Sequence, residues 1–125
     1  MKKILIVDDE RDAAELMKMR LDNKGYTVLI AQSGEEALAK AKSAKPDLIL
    51  LDIVMPKMDG YETAKKLKNN AATRKIDILF LTCKELDSRG LSERCQEVGA
   101  RGYFDKLAYH QDLLETIEEI LSESP

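Results

Sequence analysis

Lys45-Pro46-Asp47-Leu48-Ile49-Leu50-Leu51-Asp52-Ile53-Val54-Met55-Pro56 is the stretch that decides the fold of this 125-residue chain. Leu48 to Leu51 run apolar without a break between two aspartates. A strand with one wet face alternates apolar and polar residues. An unbroken run this short marks a strand buried on both faces, as in a parallel sheet covered by helices. Asp52 then terminates a buried strand, where an unpartnered carboxylate is costly.

The same pattern recurs at Ile4 to Val7, Tyr26 to Ile30 and Ile78 to Leu81, and more weakly at Gly102-Tyr103-Phe104. Between these runs the apolar spacing becomes helical. Residues 11–23 put Ala14, Met17 and Leu21 on one face, and Gly25 is placed to stop the helix. Residues 34–44 follow Ser33, with Glu36 three positions on, which is a capping box. Asp59 and Glu62 repeat that arrangement before Leu67; residues 88–98 read as helix up to Gly99. The last segment lines up Leu113, Leu114, Ile117, Ile120 and Leu121. Strand and helix alternate five times, which predicts an α/β domain with a parallel sheet and right-handed crossovers. Residues 1–122 form that domain, and residues 123–125 read as a tail or the start of a linker.

Composition narrows the function. The chain has the size of one domain and buries roughly two thirds of its unfolded surface, so it needs no disulfide or structural metal. A net charge of −3 with no basic tract argues against a nucleic-acid footprint. No apolar stretch has membrane-spanning length. The N-terminal apolar run is too short for a signal peptide and ends in acids. Cys83 and Cys95 have no metal-site spacing and read as free thiols in a reducing cytoplasm.

In an open α/β sheet, ligands bind beyond the carboxyl ends of the strands. Asp8, Asp9 and Glu10 follow the first strand, Asp52 ends the third, Thr82 ends the fourth, and Lys106 lies just past the fifth. The second strand ends in Ala31 and Gln32, with nothing ionisable. Carboxylates gathered in one cleft repel, and a hard divalent cation with oxygen ligands relieves the conflict. Adding a lysine and a hydroxyl makes a set suited to a transferring phosphoryl group, whose charge spreads over its equatorial oxygens.

Ile6-Val7-Asp8-Asp9-Glu10, Leu51-Asp52-Ile53-Val54-Met55-Pro56 with Asp59-Gly60, Leu81-Thr82, and Gly99-Ala100 to Tyr103 and Lys106 together resemble the receiver domain of two-component response regulators. The resemblance spans residues 2 to about 121. It implies a flavodoxin-like (βα)5 fold with strand order 2-1-3-4-5. It implies that Asp52 is the phospho-acceptor, that Asp8, Asp9, Asp52 and the backbone carbonyl of Val54 bind Mg2+ (or Mn2+), and that Lys106 pairs with a phosphoryl oxygen. Thr82 and Tyr103 would be the switch pair. The implied donor is a histidine kinase or histidine phosphotransfer protein, and the implied output is a downstream protein or an attached domain. Nucleic acid and membrane are not expected partners, and the chain would not be an enzyme beyond catalysing its own phosphorylation and dephosphorylation.

The chain departs from the family pattern in places. Leu107 follows Lys106 where the family has proline, and a cis bond before a non-proline residue costs about 2.5–4 kcal/mol, so a trans bond is expected. The stretch from Thr82 to Lys106 is slightly long, and Cys83 replaces a small residue. Val54 and Lys84 hold the variable flanking positions, and an apolar Val54 predicts slow loss of the phosphoryl group. Arg101-Gly102 and Glu118-Glu119 disfavour one subgroup's mode of dimerisation. Simpler readings compete. Asp9 alone can be a helix cap, Thr82 an ordinary strand-end residue, Lys106 a surface lysine and Tyr103 strand packing. Two other functions compete as well: a degenerate receiver that only binds protein, and a metal-dependent phosphohydrolase.

Overall fold

The computed structural model describes residues 2–82, 88–105 and 110–123. Ten elements alternate along the chain: β1 (Lys3–Val7), α1 (Arg11–Asn23), β2 (Thr27–Ala31), α2 (Gly34–Ala44), β3 (Leu48–Asp52), α3 (Gly60–Lys68), β4 (Asp77–Thr82), α4 (Ser88–Val98), β5 (Gly102–Asp105) and α5 (His110–Ser122). The five strands form one parallel sheet in the order β2-β1-β3-β4-β5. The helices read from the sequence at 11–23, 34–44 and 88–98 have those bounds.

The unbroken apolar runs divide between two cores, because successive side chains of a strand point to opposite faces. Leu5, Val7, Ile49, Leu51, Ile78 and Phe80 pack with Ala37 and Ala41 of α2, Ala64 and Leu67 of α3, and Leu91, Cys95 and Val98 of α4. Ile4, Ile6, Leu48, Leu50, Leu79 and Leu81 pack with Ala14, Met17 and Leu21 of α1 and with Leu113, Ile117, Ile120 and Leu121 of α5. The sheet is therefore covered on both faces. Each fully buried aliphatic side chain contributes about 1.5–3 kcal/mol relative to exposure.

Local chemistry sets the boundaries. Ser33 Oγ accepts from the Glu36 amide at 3.1 Å, and Asp59 Oδ1 accepts from the Glu62 amide at 2.9 Å, so both expected caps form. Gly25 and Gly99 take φ values of +93° and +71°, a region that penalises a Cβ, and they close α1 and α4. Tyr26 does not open β2. Its amide donates to the Leu21 carbonyl at 3.2 Å, which keeps it in the turn that ends α1.

The connection from α3 to β4 is held from within. Thr73 is buried and donates Oγ1–H to the Leu67 carbonyl at 2.6 Å. Lys68 Nζ donates to the carbonyls of Arg74 and Ile76 at 3.1 and 3.0 Å. Between α3 and the sheet, Tyr61 meets Phe80 of β4 edge-on, with ring centroids 5.3 Å apart at 62°. β2 lies at one edge of the sheet. There Lys40 pairs with Glu36 at 3.1 Å and also donates to the Ile30 carbonyl. Among the described residues, no helix is long and apolar enough to cross a membrane.

Candidate functional site

The acids that leave β1 and β3 converge. One carboxylate oxygen from each of Asp8, Asp9 and Asp52 lies within 4.8 Å of the other two. Sheet order explains the meeting, since β1 and β3 are neighbours and Val7 pairs with Leu51 in register. Asp8 and Asp52 then leave adjacent strands side by side.

Each acid is held differently. The Asp8 amide donates to the Ala31 carbonyl at 3.0 Å, which carries the β1–β2 ladder one residue past the strand. Asp8 Oδ1 accepts from the Glu10 amide at 2.9 Å, and the side chain is 2 % exposed. Asp52 is the last residue of β3 and is 5 % exposed. The next amide, Ile53 N–H, donates to the Leu81 carbonyl at 3.2 Å, so the ladder continues beneath the carboxylate. Asp9 is exposed. Asp9 does not cap α1: Glu10 occupies the cap position without a side-chain bond.

The cluster fits a small divalent cation. Magnesium binds oxygen at 2.0–2.1 Å in octahedral geometry, so oxygens on opposite sides of the ion lie about 4.2 Å apart. Three carboxylate oxygens within 4.8 Å of one another can close on such an ion with small side-chain movements. The all-oxygen, anionic donor set suits magnesium or manganese over softer metals.

Of the other residues predicted for the site, Thr82, Val54 and Tyr103 fall among the described residues. Thr82 ends β4, is 5 % exposed, and follows Leu81, the register partner of Asp52. Val54 lies on the loop after β3 and is 56 % exposed. Tyr103 pairs in register with Phe80 and is 36 % exposed. Lys106, expected to meet the phosphoryl group, follows Asp105 at the end of β5 and lies outside the described residues, as do Leu107, Cys83 and Lys84.

Two contacts that support the loop were not anticipated from the sequence. The Gly60 amide donates to the Ile53 carbonyl at 2.8 Å, which ties the start of α3 to the residue after Asp52. Thr63, fully buried, donates Oγ1–H to the Asp59 carbonyl at 2.8 Å. The available signal was a glycine directly after each helix cap, Ser33-Gly34 and Asp59-Gly60, where better helix formers would otherwise be favoured.

Comparison with known proteins agrees with this geometry. A family model described as the response regulator receiver domain matches residues 4–118. The alkaline phosphatase synthesis transcriptional regulatory protein PhoP of Bacillus subtilis is 41% identical over 98% of this chain and 50% of its own length. Protein PilH of Pseudomonas aeruginosa is 34% identical over 98% of this chain and 99% of its own. The chain thus spans about half of PhoP and nearly all of PilH. The crystallised chemotaxis protein CheY4 of Vibrio cholerae superposes with a TM-score of 0.88 at 33% identity, covering 96% of this chain and 98% of CheY4. A CheY-like receiver domain protein from Methanospirillum hungatei gives 0.88 at 34% identity, covering 98% and 95%.

Proposed function

The chain belongs to the response regulator receiver family of two-component phosphorelay signalling, and from that premise we propose that Asp52 accepts a phosphoryl group from a histidine kinase or a histidine phosphotransfer protein. It is a signalling domain and not a classical enzyme. The observation that carries the proposal is the three-carboxylate cluster at the ends of β1 and β3.

In the proposed reaction an Asp52 oxygen attacks phosphorus. The P–N bond to the donor histidine breaks, and the imidazole nitrogen leaves with the electron pair and takes a proton. Asp8, Asp9, Asp52 and the Val54 carbonyl would hold Mg2+ or Mn2+, which supplies positive charge against the phosphoryl oxygens. The neighbours of Asp52 divide the remaining work. The Glu10 amide fixes the buried Asp8 carboxylate. Thr82, one position beyond the register partner of Asp52, would donate its hydroxyl to the new phosphoryl group, and Lys106 would pair with another of its oxygens. Movement of Thr82 would open space for Tyr103 and bias the surface made by α4, β5 and α5 toward a downstream protein or an attached output domain.

Intact mass after incubation with acetyl phosphate and Mg2+ tests the proposal. The expected result is one added phosphoryl group on the wild type and none on Asp52→Asn. Uptake by both would move the acceptor elsewhere. Uptake by neither would leave a module that binds its partner without phosphorylation.

A further inference from the structure

Gly34 opens α2, a helix that contributes none of the three clustered carboxylates, yet its backbone lies against Thr63 of α3, the helix whose first residue, Gly60, abuts Asp52. A Cβ at Gly34 would stand 2.4 Å from Thr63 Oγ1, 2.8 Å from Met58 Sδ and 3.2 Å from Met58 Cβ. The Met58 thioether can swing away. Thr63 cannot easily do so, being short, fully buried and bonded to the Asp59 carbonyl at 2.8 Å.

One step inward the same kind of contact repeats. A Cβ at Gly60 would stand 2.4 Å from the Asp52 carbonyl oxygen and 2.7 Å from Ile53 Cα. The Gly60 amide also bonds the Ile53 carbonyl at 2.8 Å. The N-terminus of α3 is therefore wedged between the start of α2 and the backbone of Asp52. The loop it closes, residues 53–59, contains Val54 and passes through Lys57 at φ +68°, in the left-handed region.

We infer that Gly34 is a positioning residue for the Asp52 site: its missing side chain lets α2 seat on Thr63 and Met58, which holds the start of α3 and the 53–59 loop against the acceptor. The inference rests on the reading of Asp52 as a cation-assisted acceptor. A methyl at Gly34 needs roughly 1 Å of movement to reach ordinary contact distance from Thr63, and that movement passes through Asp59 and Gly60 to Asp52 and Ile53. Groups that orient metal ligands typically change metal affinity by roughly ten- to a hundredfold when altered.

The test measures Mg2+ affinity of the full chain by calorimetry, together with the rate of phosphoryl uptake from acetyl phosphate, for wild type, Gly34→Ala, Thr63→Ala and the double variant. Ile117→Val, on the opposite face of the sheet, serves as a control for lost stability alone. Gly34→Ala is expected to weaken Mg2+ binding roughly tenfold or more and to slow uptake in parallel. The double variant is expected to return to the affinity of Thr63→Ala, because the clashing oxygen is gone. The control is expected to melt earlier and bind Mg2+ as the wild type does. If Gly34→Ala does not fold, Thr63→Val takes its place: it cuts the bond to Asp59 with little change in volume, and about tenfold weaker binding is expected. Affinity within about twofold of the wild type in the variant read, or an equal loss in the control, overturns the inference. A wild type that neither binds Mg2+ nor takes up phosphate overturns the acceptor reading itself, an outcome distinct from the first.

Discussion

Arg94 lays its guanidinium carbon 4.5 Å from the centroid of the Tyr61 ring and so ties α4 to α3. The ring passes the contact inward to Phe80 on β4. A guanidinium over an exposed aromatic face contributes about 0.5–1 kcal/mol. A double-mutant cycle of Arg94→Ala and Tyr61→Leu, followed by urea unfolding, should return a coupling energy in that range. Additive losses would show that the stack contributes nothing.

Alkaline stability should separate two opposing groups. Burial raises the Tyr61 hydroxyl above its usual 10.0, with Arg94 opposing the shift, and burial with the Glu118 charge raises Tyr26. Above pH 10.0 the unfolded chain gives up these protons first, so the tyrosines' contribution is full below that pH and is lost as pH rises through the folded values. Lys68 has the opposite sign. Burial lowers it below 10.5, with the Asp77 charge opposing, so the unfolded chain holds the proton longer and stability rises with pH between the lowered value and 10.5. Urea midpoints measured from about pH 9 to 11 should decline less steeply in a Tyr26→Phe, Tyr61→Phe variant and more steeply in Lys68→Met. Parallel curves for all three proteins would contradict the assignment.

Cation binding should appear as stability. A ligand that binds only the folded state, at a hundred times its dissociation constant, adds about 2.7 kcal/mol. Thermal melts in Mg2+ and in EDTA should differ accordingly for the wild type. Asp9→Asn should lose most of that difference and melt no lower than the wild type in EDTA, because Asp9 is exposed and its removal relieves repulsion within the cluster. A full Mg2+ response in the variant would remove Asp9 from the ligand set.

Two substitutions near the site should differ sharply in cost. Phe80 is fully buried beneath Tyr61, and its replacement by alanine should cost about 3–5 kcal/mol in denaturant unfolding. Val54 is 56 % exposed, and alanine there should stay within about 0.5 kcal/mol of the wild type.

Lifetime offers a separate check on Val54. The exposed Val54 side chain is apolar and has no group to orient an attacking water. The phosphorylated protein should therefore persist well beyond seconds after the donor is removed, as followed by intact mass. Loss within seconds would show that some other group positions the water.

The fold was legible because its strands are buried on both faces. Leu48 to Leu51 could be read without any neighbour, and the helix limits followed from Ser33, Asp59, Gly25 and Gly99, whose chemistry is local. Asp8, Asp9 and Asp52 were legible because Asp52 ends β3 and the other two directly follow β1, and strand ends share a rim in a parallel sheet. The contacts across helices were not. Nothing local marks Arg94 as the partner of Tyr61, or Thr63 as the neighbour of Gly34, since these pairs meet only after the sheet sets the spacing of α2, α3 and α4. Tyr26 was misassigned to β2 because its apolar character does not reveal that its amide still belongs to the end of α1.

The Lys40 bond to the Ile30 carbonyl has a consequence for the molecule in a crowded solution. A sheet rim with open carbonyls invites a foreign strand to dock and extend it, the first step toward a fibril. Here a charged amine plugs one of the β2 acceptors, and an incoming chain would have to strip it away. High concentration of the chain is therefore less able to drive amyloid-like stacking through this edge.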